Sequence, residues 1–255
     1  MQNQYRSYII GQFQKLSSFY SPSGFTGQVI AYVQQEFTRL GYSAEETGKG
    51  GLLVDLGGDE SQDAVLLSAH ADTLGAMVCS IKENGRLRIS PIGGLTPDNV
   101  EAENCTIFTR FQGTYSGTFQ LDNASLHVNE EYRNQKRTFE NMEVVVDEKT
   151  FCKQETEALG IAPGDYVCFD PRTVVTASGY IKSRFIDDKM SVAILMGYAK
   201  HLKEDKVSLK QRVYLHITVY EEVGHGAAGL GSPGGTPEPV GDKWCVWKRV
   251  WCHEN

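Results

Sequence analysis

Several kinds of signal are missing from this chain of 255 residues. There is no G-x-S-x-G, no P-loop and no dinucleotide-binding fingerprint joining a strand directly to a helix, so serine hydrolase, nucleotide hydrolase and nicotinamide enzyme readings have no foothold. The six cysteines form no C-x-x-C pair and follow no regular spacing, which excludes a thiolate zinc module and makes free thiols the expectation. The longest aliphatic run, "VAILM", is far too short for a bilayer. The start, "MQNQYRSYIIGQFQKL", lacks the basic end and apolar core of a signal peptide, and a cytoplasmic protein is expected. Nor is there a basic stripe interleaved with aromatics; with a net charge of −7, nucleic acid is not an expected partner, and small molecules or peptides are.

What is present reads as α/β. "TGQVIAYVQQEFTRL" spaces Ile30, Val33, Phe37 and Leu40 as one helical face, with Gly41 as its stop. "GLLVDLG" and "AVLLSAHA" are strand candidates separated by the turn-rich "GDESQD". From 76 to 177 the style changes to short alternating runs such as "RLRIS", "TIFTRF", "MEVVV" and "YVCFD", which predict a small β-rich domain without a long helix. Helix and strand then return in "DDKMSVAILMGYAKHL", with Ser191, Leu195, Tyr198 and Leu202 on one face, and in "RVYLHITVY". The expected organisation is an α/β domain of residues 1–75 and 178–230, interrupted by the β-rich insertion at 76–177 and followed by an irregular tail at 231–255.

Three clusters carry the chemistry: His70 with Asp72, Asp187 with Asp188, and Glu221 with Glu222. Each falls at a strand end or a helix start, where an open α/β sheet places its ligands. Taken singly they are weak. A lone His-x-Asp is common near turns, and carboxylates at a helix start offset the macrodipole without any catalytic role. Together they would crowd four or five carboxylates into one cleft, which calls for cations. One imidazole with several carboxylates suits zinc, cobalt or manganese, and a bridging carboxylate would make a paired site. In an extended segment Glu221 and Glu222 point to opposite sides, so one would ligate and the other act as base, unless the strand has already bent toward Gly224. Asp72 would accept the second ring N–H of His70 and fix its tautomer. His216, inside an apolar strand, is expected to be a satisfied core histidine; His201 ends a helix, and His127 and His225 stay open as cleft residues.

The segments "SAHADTLGAMV", "FIDDKMSVAIL" and "VYEEVGHGAAG", in that order, resemble the M42 family of metallo-aminopeptidases, of the glutamyl-aminopeptidase and tetrahedral aminopeptidase type. "SPSGFTGQV" is similar to the family's N-terminal region, and the resemblance runs from about Leu16 to Gly229. It implies a central mixed sheet flanked by helices, a phosphorylase/hydrolase-like metallopeptidase domain, with an inserted β domain that serves dimerisation within a homo-oligomer. It also implies two divalent metal ions, zinc or cobalt, with His70 and Glu222 each on one ion and Asp187 bridging. Glu221 would be the general base and Asp72 the orienter of His70, in an enzyme that takes N-terminal residues from peptides. The departures lie downstream. The family has two further ligands, an aspartate and a histidine; Asp242 stands near the expected offset but not in a strand, and His253 has no matching context. The tail from about Gly231 is expected to be out of register, as a frameshift and early stop would leave it, which could make the chain inactive as it stands. The alternatives are a non-catalytic protein that keeps the fold for assembly or peptide binding, and another metallohydrolase such as an endoglucanase or a deacylase.

Overall fold

The computed structural model describes residues 2–59 and 63–226, so the tail, Asp242 and His253 lie outside the described residues. The chain runs through helices α1 (Gln2–Ser17) and α2 (Gly27–Arg39) and strands β1 (Ala44–Glu46), β2 (Leu52–Asp55) and β3 (Val65–His70). Then come β4 (Gly75–Ile81), β5 (Leu87–Ile92), β6 (Asn104–Phe108), β7 (Thr114–Leu121), β8 (Met142–Val146), α3 (Lys153–Ala158) and β9 (Tyr166–Phe169). The short pair β10 (Val174–Val175) and β11 (Ile181–Lys182) follows, then α4 (Ile186–Glu204) and β12 (Val213–Thr218). The described residues divide into two compact units, one holding the described parts of 2–73 and 173–226, the other residues 74–172. No helix among the described residues is long and apolar enough to cross a membrane.

The first unit holds a mixed four-stranded sheet of order β1-β2-β12-β3, in which β12 is antiparallel to β2 and parallel to β3. Leu52, Val54, Ala69, Val213, Leu215 and Ile217 form one buried core with side chains of α1, α2 and α4. α2 buries Ile30, Val33 and Phe37, and the residue that ends it, Leu40, is buried with them, as their spacing predicts. Its end is closed by Gly41 at φ +84, whose N–H donates to the Thr38 carbonyl while that of Tyr42 donates to Phe37. α4 differs from expectation: its buried stripe is Val192, Leu195, Met196, Ala199 and Leu202, with Ser191 and Tyr198 only half-buried. In "SVAILMGYA" nearly every position is apolar or small, so periodicity alone does not set the phase of the helix. α1 packs on α4, where a Cβ at Gly197 would stand 2.3 Å from Ile9 Cγ1, so only glycine admits the Ile9 side chain there.

A buried polar knot joins α1 to α2. Glu36, 8% exposed, accepts hydrogen bonds from the Tyr8 hydroxyl at 2.5 Å and from Arg39 Nε at 2.8 Å. Burial works to raise the Glu36 pKa, but the Arg39 and Tyr8 hydrogen bonds outweigh it and hold the carboxyl below the usual range. A depressed folded pKa contributes stability that is fully present above the ordinary glutamate pKa and is lost as pH falls through the folded value. Glu36→Gln is therefore expected to lower the urea midpoint at pH 7, with the gap from wild type closing in strong acid. A gap that stays constant with pH would contradict this account.

The second unit is a closed six-stranded barrel in the order β4-β5-β8-β7-β6-β9. Alternating inward positions fill it: Val78, Leu87, Ile89, Ile107, Phe119, Leu121, Met142, Val144, Val167 and Phe169 are all buried. Phe119 lies at the aromatic centre, its ring centroid 5.9 Å from those of both Phe139 and Phe169. Glu143 on β8 is fully buried, yet it pairs with both Lys82 and Arg86.

Candidate metal centre

Because β3 and β12 run parallel with His70 opposite Thr218, their carboxyl ends leave the sheet side by side. His70 ends β3 as a buried residue, 6% exposed. After β12 the chain turns at once into a single helical turn, Glu221–Val223, closed by Gly224 at φ +82. The bend toward Gly224 has thus taken place before the two glutamates, and the opposed side chains of an extended strand do not apply to them. The start of α4 supplies Asp187 and Asp188, joined by a cis peptide bond and both in non-helical conformations.

His70, Asp187 and Asp188 each offer a ligand atom within 4.8 Å of the others. His70 Nε2 lies 3.1 Å from Asp187 Oδ1 and 3.6 Å from Glu221 Oε2. The His70 N–H donates to Asp188 Oδ2 at 3.3 Å. Glu222 is outside that group of three, although its carboxyl is close enough to feel Asp72, Glu221 and Asp187. Asp188, which the sequence reading pairs with Asp187 but gives no ligand role, is inside it.

Asp72 is fully buried. The nearest partner of His70 Nδ1 is the Asp72 backbone carbonyl at 2.9 Å, with the carboxylate Oδ1 farther off at 3.4 Å. The Asp72 carboxylate itself gathers three donors: Ser23 Oγ at 2.5 Å, the Glu222 N–H at 3.2 Å and the Glu221 N–H at 3.3 Å. It holds the glutamate turn as much as it orients the imidazole. Ser23 is absent from the sequence-derived candidates; its position inside the "SPSGFTGQV" segment was the available signal, but no spacing rule ties a serine to a carboxylate so far along the chain.

The donor set fits a cation. With the Nδ1 hydrogen directed at the Asp72 carbonyl, Nε2 faces two carboxylate oxygens and needs a proton or a metal ion between them. Burial acts against the imidazolium, yet the Asp72 carboxylate more than offsets it, and the His70 pKa is pushed up to about 9. Burial also raises the Glu222 carboxyl to about 7, with the neighbouring Asp72, Glu221 and Asp187 charges adding to it. Burial raises Asp188 as well. Asp72 goes the other way: burial would raise it, but hydrogen bonds from His70 and Ser23 prevail and lower it.

The remaining histidines separate from this group. His216 is buried, but its Nδ1 has no partner among the described residues, so the expectation of a satisfied core histidine fails at that atom. Burial, with Lys49 nearby, pushes its pKa down to about 4. His201 Nδ1 meets Asp205 Oδ2 at 2.9 Å on α4. The His225 N–H is taken by the Tyr220 carbonyl, and His127 belongs to the barrel unit.

Comparison with known proteins shows which family and fold the chain shares. Residues 50–237 match the model of a family described as M42 glutamyl aminopeptidase. The chain is 40% identical over 213 residues to YhfE of Bacillus subtilis (strain 168), provisionally named an aminopeptidase, covering 84% of this chain and 62% of that protein. Aminopeptidase APDkam598 from the archaeon Desulfurococcus kamchatkensis superposes with a TM-score of 0.74 at 27% identity, covering 86% of this chain and 58% of that one. A TET1 peptidase of Pyrococcus horikoshii, described as able to assemble into a tetrahedron or a large octahedral shell, shares the fold. Its TM-score is 0.71 at 24% identity, over 85% of this chain and 62% of that one. The chain therefore spans about three-fifths of the length of these relatives.

Proposed function

Since the chain belongs to the M42 glutamyl aminopeptidase family, we propose that it removes N-terminal residues from peptides at a centre held by His70, Asp187 and Glu222, with Glu221 as general base. The observation that supports this most is His70 Nε2 turned to Asp187 and Glu221 while Nδ1 is engaged by the Asp72 carbonyl. Two divalent ions, zinc or cobalt, would supply Lewis acidity and an acidified water when bound. The side chains do the rest. Glu221, more than half exposed, takes a proton from the attacking water and returns it to the leaving amine nitrogen. Asp72 keeps the turn of Glu221 and Glu222 in place through their backbone N–H groups. For assembly the reading is a homo-oligomer of this chain, supported by the shell-forming behaviour described for the TET1 peptidase.

Elemental analysis of the purified chain after loading with zinc or cobalt tests the centre. About two equivalents per chain are expected for a paired site, falling by about one in Glu222→Gln. A fluorogenic panel of aminoacyl substrates beside carboxymethylcellulose then tests the reaction. No bound metal, or hydrolysis of the polysaccharide alone, would overturn the aminopeptidase reading.

A further inference from the structure

We infer that Ser23 is a positioning residue of this metal centre, acting through the Asp72 carboxylate; the inference rests on the metal-centre reading above. Ser23 lies before the segment that matches the family model, which begins at residue 50. The residue is buried at 8% exposure, and its hydroxyl donates to Asp72 Oδ2 at 2.5 Å. That same oxygen accepts the Glu222 N–H, while Oδ1 accepts the Glu221 N–H and faces His70 Nδ1. One serine hydroxyl therefore fixes the tilt of a fully buried carboxylate from which the glutamate turn hangs and beside which the imidazole stands.

The loop that carries Ser23 is itself anchored at both sides of the centre. Ser21 Oγ donates to the Ala71 carbonyl at 2.8 Å, and the Thr73 N–H donates back to the Ser21 carbonyl at 2.9 Å. Pro22 and Thr73 form a parallel bridge. On the far side Lys189, 1% exposed and next to Asp188, donates from Nζ to the Phe19 carbonyl at 2.6 Å. The loop thus ties the strand end bearing His70 and Asp72 to the helix start bearing Asp187 and Asp188. A hydroxyl placed there by two independent anchors has little freedom, and its bond to Asp72 transmits that rigidity to the ligands. Partners one step removed from a metal commonly change its affinity by about 10–100-fold when removed.

The test uses the full chain, stripped of metal and titrated with cobalt(II) chloride against a competing chelator, with the visible d–d spectrum recorded at saturation. Ser23→Ala is expected to bind cobalt about tenfold more weakly and to alter the d–d bands, and Ser23→Thr to restore both. In the metal-free protein the amide hydrogens of Glu221 and Glu222 are expected to exchange faster in Ser23→Ala than in wild type. A Ser23→Ala protein with a lower thermal midpoint but wild-type cobalt affinity, spectrum and amide exchange would make the serine a fold stabiliser alone and overturn the inference. A wild-type chain that binds no cobalt would overturn the metal centre itself, and the role of Ser23 at it, so the two failures are distinguishable.

Discussion

Glu221→Gln is expected to lower aminopeptidase turnover by roughly 10²- to 10⁴-fold, or about 3–5 kcal/mol of barrier, while leaving metal binding within about twofold of wild type. Glutamine keeps the length and shape of the side chain, so the turn at Glu221–Val223 and its bond to Asp72 through the backbone N–H stay intact. What it removes is a carboxylate oxygen now 3.6 Å from His70 Nε2, the group able to take a proton from water there. The measurement is kcat on the best aminoacyl substrate, with metal content determined in parallel. The contrast with Glu222→Gln is the informative part: that change is expected to remove metal, whereas Glu221→Gln removes turnover from a loaded centre. Full turnover in Glu221→Gln would take the general-base role away from it.

Phe119→Ala is expected to destabilise the barrel by about 4 kcal/mol. The Phe119 side chain is fully buried and meets Phe139 and Phe169 at ring distances of 5.9 Å, so truncation leaves a void inside a closed sheet that has little room to collapse. The barrel has its own hydrophobic cluster, separate from that of the α/β unit. Hydrogen exchange of barrel amides is the suitable readout, because it assigns the loss to β4 through β9 rather than to the whole chain. A loss below about 1 kcal/mol would mean that the barrel wall closes over the void.

The legible parts of this protein are those where local pattern and final environment coincide. α2 and β2 lie where apolar spacing put them, because each presents a single face to the core, and β3 and β12 lie where their apolar runs put them, in the sheet. The β-rich stretch reads correctly as short strands, since strands such as β6 and β7 alternate buried and more exposed positions. α1 was not legible as a helix: among its described side chains Phe13 and Leu16 are the fully buried apolar ones, and polar residues such as Gln4, Arg6, Gln12, Gln14 and Lys15 break up the apolar pattern. At the site, His70 and the two acidic pairs announce themselves by standing at the ends of elements. What no local pattern carries is the pairing of β3 with β12, the bond between Ser23 and Asp72, and the inclusion of Asp188 beside His70. Those are contacts between distant segments, and periodicity is blind to them.

The position of the barrel within the chain also sets an order of events during folding. Some of its pairings join strands that follow one another closely, such as β4 with β5 and β6 with β7, and its closing pair, β4 with β9, spans about 90 residues. The central contact of the sheet joins β3 to β12 across about 150 residues, a separation that carries a higher closure entropy and a slower search. The barrel is thus expected to gain protection first in a pulse-labelled refolding experiment, with β3 and β12 following. His70 and Asp187 are 117 positions apart, on opposite sides of that insertion. On that order the residues of the proposed centre are expected to come together last, so a chain pulsed with cobalt(II) early in refolding is expected to bind none.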